Sequence, residues 1–328
     1  MRPFAALSLA AATLVVAGAS RAQSEPQFDG QVFHAQVLLD RAGFSPGVID
    51  GLAGASLEAA LRGFQQSRGL QETGVLDSDT RAALLRNRVP AARMLTIDES
   101  DAAGPFGPVP EEPAQQAKLD RLAYRNLLEK VAEKFHTTPD TIIRLNGGST
   151  VLKAGTRLRL PNVLPASRAY QNAKPEVAQL LSDLNVDANQ PKAEKVVADK
   201  SDKVVRVYDG QDRLVAQFPA TMGSHRDPLP LGQWKVNSVA YNPPFHYQPK
   251  LFWDVSDNKA DYMLPPGPNG PVGVIWIDLN RENIGIHGTN SPETIKRAES
   301  HGCVRLTNWD AARLSRMIHD GIEVVFQA

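Results

Sequence analysis

Apolar residues recur at helical spacing twice near the start of the chain, at Ala35, Leu38, Leu39 and Ala42 and again at Leu57, Ala60, Leu61 and Phe64. Each set fills one face of a short amphipathic helix. The link between them, Gly43 to Gly51, is rich in turn residues, and Asp77 is placed to cap a third helix through Leu85. Residues 30–86 are therefore expected to form a small three-helix domain. Pro90, Pro105, Pro108, Pro110 and Pro113, with few apolar residues between them, mark 87–117 as a linker. In 118–162, Leu119 to Asn126 reads as helical. Leu128, Val131, Ala132 and Phe135 restore the helical period, Thr138-Pro139 opens a further helix ending at Asn146-Gly147, and Arg157 to Leu160 forms a strand. Residues 163–195 read as a second linker with an amphipathic stretch around Val177 to Leu184.

From residue 196 to 328 the period changes. Val204 to Tyr208, Arg213 to Phe218, Trp234 to Val239, Val274 to Ile277 and Ile322 to Phe326 are short β-rich runs, and Asp209-Gly210 marks a hairpin. One helix, about Asp310 to Asp320, is capped by Asn308 or Thr307 and stopped by Gly321. The chain is thus expected to be multidomain, with a mostly β domain of about 130 residues behind two small front units.

A different pattern opens the chain. Arg2 precedes an apolar run to Ala19, and Ser20 and Ala22 stand where a signal peptidase needs small residues, so 1–22 reads as a signal peptide and the protein as exported, to the periplasm or the cell wall. A retained anchor is the alternative, but the run is short for a stable membrane span and no cysteine follows to take a lipid. The 36 basic residues balance 36 acidic ones, which removes any charge argument for a nucleic-acid partner. Exported proteins usually pair their cysteines, yet this chain has only Cys303.

The neighbours of that cysteine carry chemistry. Ile284-Gly285-Ile286-His287-Gly288-Thr289-Asn290 places a histidine at the end of a short strand, and Ser300-His301-Gly302-Cys303-Val304-Arg305-Leu306 follows. A thiol nucleophile requires an imidazole nearby to take its proton. Gly302 clears the space before Cys303, so the N–H groups of both residues are candidates for an oxyanion hole.

His-Gly-Thr, a loop, then Ser-His-Gly-Cys-Val-Arg-Leu resembles the signature of L,D-transpeptidases of the YkuD family, with support from Met222-Gly223 and Pro230-Leu231-Gly232-Gln233-Trp234. The resemblance covers 196–328. It implies a β-sandwich-like catalytic fold, peptidoglycan stem peptides as substrates, and an acyl-enzyme on Cys303 with His287 as base. The front helices, with Ile49-Asp50-Gly51, Phe64-Gln65, Gly69-Leu70 and Thr73-Gly74-Val75-Leu76-Asp77, resemble the peptidoglycan-binding domain of type 1. Leu127 to Pro161 looks like a LysM module, from Leu145-Asn146 and Ala154-Gly155-Thr156-Arg157-Leu158, lacking the opening strand. These modules imply contact with the wall, and with glycan strands.

The remaining roles are expectations. Gly288 supplies a carbonyl to hold the His287 ring. His301 shapes the loop or serves as an alternative base. Ser300 and Thr289 make local turn hydrogen bonds, with Thr289 also at the substrate edge. Arg305 faces a substrate carboxylate or pins the loop by an ion pair. Tyr241 and Trp253, with Phe245, Tyr247 and Phe252, form a lid on the substrate or a packed loop. Neither cofactor nor metal is expected: His287, His301 and Cys303 lack the spacing of a zinc site. A cysteine protease, an inert wall-binding protein, and an L,D-carboxypeptidase or amidase-type hydrolase at the same site are the competing readings. The acceptor stays open between a second stem, a lysine of a wall-attached protein, a free amino acid and water.

Overall fold

The computed structural model describes residues 27–328 apart from 149, 150, 254 and 257, so the signal-peptide expectation lies outside the described residues. The front unit is α1 (Gly30–Arg41), α2 (Ala55–Ser67) and α3 (Ser78–Leu84). Asp29 caps α1 by accepting from the Gln31 N–H at 2.6 Å, and Asp77 caps α3 by accepting from the Thr80 N–H at 2.8 Å.

The second unit begins where a linker was expected. Strand β1 (Ala92–Thr96) and the turn of helix α4 (Glu99–Ala102) lie inside 87–117, and β1 pairs antiparallel with β2 (Arg157–Pro161). The prolines bias the flanks, but Leu95 and Ile97 contribute to a core with Val131, Phe135, Ile142, Leu158 and Leu160, which the proline count hid. A strand therefore precedes the helices of this unit, ahead of a long excursion. That excursion carries one short turn, α5 (Pro113–Gln116), and Leu119 to Asn126 is irregular, not helical. Its cause is tertiary: the Leu122 N–H donates to the Pro266 carbonyl at 2.9 Å and the Asn269 N–H donates to the Leu122 carbonyl at 3.0 Å, pinning the segment as a strap on the β domain. A side chain at Gly267 would sit 2.2 Å from the Leu122 oxygen, so the crossing requires glycine there. Helices α6 (Leu127–Lys134) and α7 (Pro139–Asn146), capped by Asn126 and Thr138, complete the unit.

The second expected linker also packs. Helix α8 (Pro175–Asp183) buries Leu181 in the core of the β domain, where Leu184, Val186 and Ala193 join it. The amphipathic face of α8 therefore belongs to that core rather than to a free tether.

The β domain contains β3 (Lys195–Asp199), β4 (Val204–Tyr208), β5 (Leu214–Pro219), β6 (Thr221–Met222), β7 (Gly232–Tyr241), β8 (Phe245–Tyr247), β9 (Tyr262–Leu264), β10 (Ile275–Leu279), β11 (Gly285–His287), β12 (Val304–Arg305), α9 (Asn308–Met317) and β13 (Glu323–Gln327). Nine strands form one large sheet in the order β5-β4-β3-β13-β7-β10-β11-β12-β6, and β8 and β9 form a separate hairpin. The long β7 pairs with β13 through residues 232–235 and with β10 through 236–241, so it joins two halves of the sheet over one core. Val205, Val207, Ile275, Ile277, Ile286 and Val304 face that core, and α9 fills it with Trp309 and Leu314. Fully buried side chains of this size contribute roughly 1.5–3 kcal/mol each.

A buried polar cluster locks the three units together. Asp40 of α1 accepts from Arg313 of α9, 3.3 Å from its Nη1, and faces the His136 Nδ1 at 3.1 Å. His136 stacks on Trp309 at 5.1 Å, and the Ser45 hydroxyl donates to Asp310 at 2.7 Å. Burial raises the Asp40 carboxyl, but the charges of His136 and Arg313 outweigh it and hold the group below the usual carboxylate range. Gln217 of β5 adds a second tie: its backbone accepts from the Ser45 N–H at 2.9 Å, and its side chain donates to the Ala59 carbonyl at 2.7 Å. Among the described residues no helix is long and apolar enough to cross a membrane.

Removing the carboxylate strands Arg313 in the interior. Asp40→Ala is expected to cost about 3–5 kcal/mol, read as a fall in the urea midpoint, and an unchanged midpoint would show that the cluster does not hold the units together.

Candidate active site

Register sorts the side chains. His287 pairs with Trp276 of β10 and with Arg305 of β12, which places these three on the sheet face opposite Ile277, Ile286 and Val304. Tyr241 pairs with Ile275 and packs on the core side, by Val239. The structure therefore does not bring Tyr241 to the site, because the strand period turns it to the other face.

Two backbone hydrogen bonds fix β11 beside its neighbours: the Leu306 N–H donates to the His287 carbonyl at 2.8 Å, and the Gly288 N–H donates to the Ile275 carbonyl at 3.1 Å. His287 is buried, stacks on Trp276 with centroids 5.4 Å apart, and its Nδ1 lies 2.7 Å from the Gly288 carbonyl. Burial, reinforced by the Arg305 charge, lowers its pKa to about 3 against the opposing pull of that hydrogen bond. The ring is consequently neutral at pH 7. A carbonyl only accepts, so the proton is on Nδ1 and Nε2 keeps its lone pair.

Cys303 directly precedes β12 and is half-buried. Its thiol donates to the Asn283 carbonyl at 3.6 Å. Burial pushes the thiol above its ordinary value, while the backbone N–H of Gly285 and the Arg305 charge pull the other way. The loop before it is held by Ser300, whose hydroxyl donates to the Cys303 carbonyl at 2.6 Å and accepts from the Gly223 N–H at 2.6 Å. Ser300 is thus a local hydrogen-bonder, and its partner Gly223 lies in the Met222-Gly223 stretch. Gly302 has φ +95°, a left-handed conformation that a side chain would strain.

Thr289 is buried and accepts from the Ser291 N–H at 3.2 Å, a turn contact. Arg305 reaches the Glu299 carbonyl at 3.4 Å. His301 meets Phe252 edge-on at 4.9 Å and Trp253 at 5.9 Å, so the β8–β9 excursion folds over the cysteine loop. Trp253 is half-exposed, with the Arg226 guanidinium 4.5 Å from its ring centroid. Among the described residues no group of three His, Cys, Asp or Glu side chains could hold a metal ion.

Sequence reasoning missed Trp276 and Asn283. Trp276 had a signal: in Ile275-Trp276-Ile277-Asp278-Leu279 it occupies the phase opposite the aliphatic residues, where an aromatic ring must cover something other than the core. Asn283 acts through its carbonyl, which any residue type supplies.

Residues 193–326 match the L,D-transpeptidase catalytic domain family YkuD, and residues 29–84 match the peptidoglycan binding domain family. The L,D-transpeptidase YkuD of Bacillus licheniformis is 25% identical over 202 residues, spanning 60% of this chain and 91% of that protein. Its namesake in Bacillus subtilis is 42% identical over 57 residues, 17% of this chain and 35% of that protein. Among solved structures, an L,D-transpeptidase from Mycobacterium smegmatis is 24% identical, covering 42% of this chain and 59% of that one with a TM-score of 0.34. The chain carries a YkuD L,D-transpeptidase catalytic domain preceded by a peptidoglycan-binding domain of type 1.

Proposed function

We propose that the protein is an exported L,D-transpeptidase that cross-links peptidoglycan through a Cys303 thioester. The observation that carries this reading is the His287 ring, kept neutral by burial and oriented by the Gly288 carbonyl so that Nε2 carries the lone pair, one strand away from the segment that bears Cys303. The peptidoglycan-associated domains give the cell-wall context. The opening apolar run before Ala22 supports export to the periplasm or wall.

The chemistry follows from the two neutral groups. Proton transfer from a thiol held high to an imidazole held low is uphill on its own, so Nε2 takes the proton as sulfur bonds to carbon. The carbon is the carbonyl of the third residue of a donor stem. The N–H groups of Gly302 and Cys303 stabilise the oxyanion. Collapse breaks the peptide bond, and D-alanine leaves with the proton from His287. An acceptor amine then attacks the thioester, gives a proton to His287 and restores the thiol. A second stem is the acceptor we favour, and a lysine of a wall-attached protein would use the same step. Arg305 and Thr289 border the donor site, and Trp253 covers it. The unit between β1 and β2 is a LysM-like module with its strap inserted between α4 and α6, and the two front units rest on the wall.

Purified protein incubated with defined muropeptides should release D-alanine and give dimers joined between third residues, read by product mass. Loss of D-alanine without dimers would instead favour an L,D-carboxypeptidase at the same site. Cys303→Ala should abolish the covalent adduct with a stem tetrapeptide or a carbapenem. His287→Ala should slow acylation about 10²–10⁴-fold, and an unchanged rate would move the base role to His301. The resting thiol should resist alkylation by iodoacetamide at pH 7, and its rate should still be climbing above pH 9, because burial disfavours the thiolate. A plateau by pH 6 in the mass-spectrometric time course would mean a preformed ion pair.

A further inference from the structure

The Gly288 carbonyl that holds His287 is itself supported, and the support originates in the second unit. Asn308, fully buried at the start of α9, lies with its amide oxygen against the backbone of two loops. A side chain at Gly288 or Gly273 would come within 2.1 or 1.9 Å of that oxygen, so both glycines exist to admit the amide. The same oxygen accepts from the Val274 N–H at 3.1 Å, next to the Ile275 carbonyl that receives the Gly288 N–H. The amide nitrogen donates to Glu133 Oε1 at 2.6 Å and points to the Pro268 carbonyl at 3.4 Å. Glu133 belongs to α6, outside the catalytic domain, and its other oxygen accepts from the Tyr124 hydroxyl of the strap.

We infer that Glu133 is a positioning residue for His287, acting through the Asn308 amide on the Gly288 peptide. The glycines admit the amide close to both backbones, and the shortest bond that anchors its nitrogen is to the Glu133 carboxylate. An Asn amide turned over would present NH₂ to the Val274 N–H and lose that bond, so the anchor also fixes which end faces the Gly288 backbone. Retaining a carboxylate there is costly: burial pushes it up to about 7, against the hydrogen bonds from Tyr124 and Asn308. A nonpolar residue would fill the same space without that penalty. The second unit is thereby a structural part of the active site, independent of any contact it makes with the wall. This inference rests on His287 being the base.

The test uses the full chain with Glu133→Met, which keeps side-chain length and removes the acceptor, and Glu133→Gln, whose amide oxygen still accepts from Asn308. Single-turnover acylation by a carbapenem is followed by mass, with melting temperature measured alongside. Glu133→Met should lower the maximal acylation rate about tenfold to a hundredfold without changing its dependence on carbapenem concentration, since Glu133 touches no substrate. In ¹⁵N-histidine spectra the His287 Nδ1–H signal should move away from its hydrogen-bonded position, and Glu133→Gln should restore both readouts. Wild-type acylation by folded Glu133→Met would overturn the inference, as would a slower rate with an unmoved His287 signal. If Glu133→Met does not fold, Asn308→Ser removes the other partner and is read identically. Full-rate acylation by His287→Ala would overturn the assignment of the base instead, and the His287 signal would still report whether Glu133 sets the ring.

Discussion

The Asp40–Arg313 contact, buried among His136, Trp309 and Asp310, is the constraint around which the rest of the molecule is arranged. Two charges withdrawn from water are a net cost unless their hydrogen-bonding capacity is met from several directions. Here the directions are different units: Asp40 lies on α1, His136 follows α6, and Arg313 lies on α9. Each unit contributes a group that the others cannot satisfy alone. The Arg313 Nη2 also donates to the Asp40 carbonyl at 2.8 Å, and the His136 Nε2 lies 2.8 Å from the Leu184 carbonyl, so the cluster reaches the segment after α8 as well. Apolar packing then continues across the same boundaries, with Phe33 and Val37 of α1 in one core with Leu158 and Leu160 of β2.

That arrangement gives the catalytic face its stiffness. The sheet supplies positions through register, placing His287 beside Trp276 and Arg305, and the loops supply orientation through backbone groups. Ser300 clamps the cysteine loop from one side and the Gly288 carbonyl fixes the imidazole from the other. None of these orienting contacts to His287 or Cys303 uses a second ionised side chain, which lets the pair rest uncharged in a buried setting. Burial is the first cause in both cases, lowering the imidazole and raising the thiol.

The sequence was most legible where side-chain chemistry and period coincide. Val204 to Tyr208 is rich in β-branched residues and forms β4, Asp77 caps α3, Thr307 caps α9, and His287 on β11 lies beside β12, which Cys303 directly precedes. Legibility failed where tertiary contacts decide. Pro90 and Pro105 flank β1, whose exposed Met94 and half-buried Leu95 give little alternation, and its pairing with β2 is long-range. Leu119 to Asn126 has helical spacing, but the backbone hydrogen bonds of its Leu122 go to 266–269 of the β domain. Tyr241 has the composition of a substrate contact, yet strand phase alone turns it toward Val239 and the core. Glu133 and Asn308 are separated by 175 positions, and no local pattern announces their contact.

The sheet order carries a consequence for assembly in time. β13 sits between β3 and β7, although it comes later in the chain than both. Until it arrives, β5-β4-β3 and β7-β10-β11-β12-β6 are separate ribbons, each with an unpaired edge next to the gap. The strands bearing the reactive residues can pair early, but the Asp40 and Glu133 ties depend on α9, which directly precedes β13. Asn308 and Arg313, which make those ties, thus lie later in the chain than the Cys303 segment they support. The gap closes only when β13 pairs with β3 and β7.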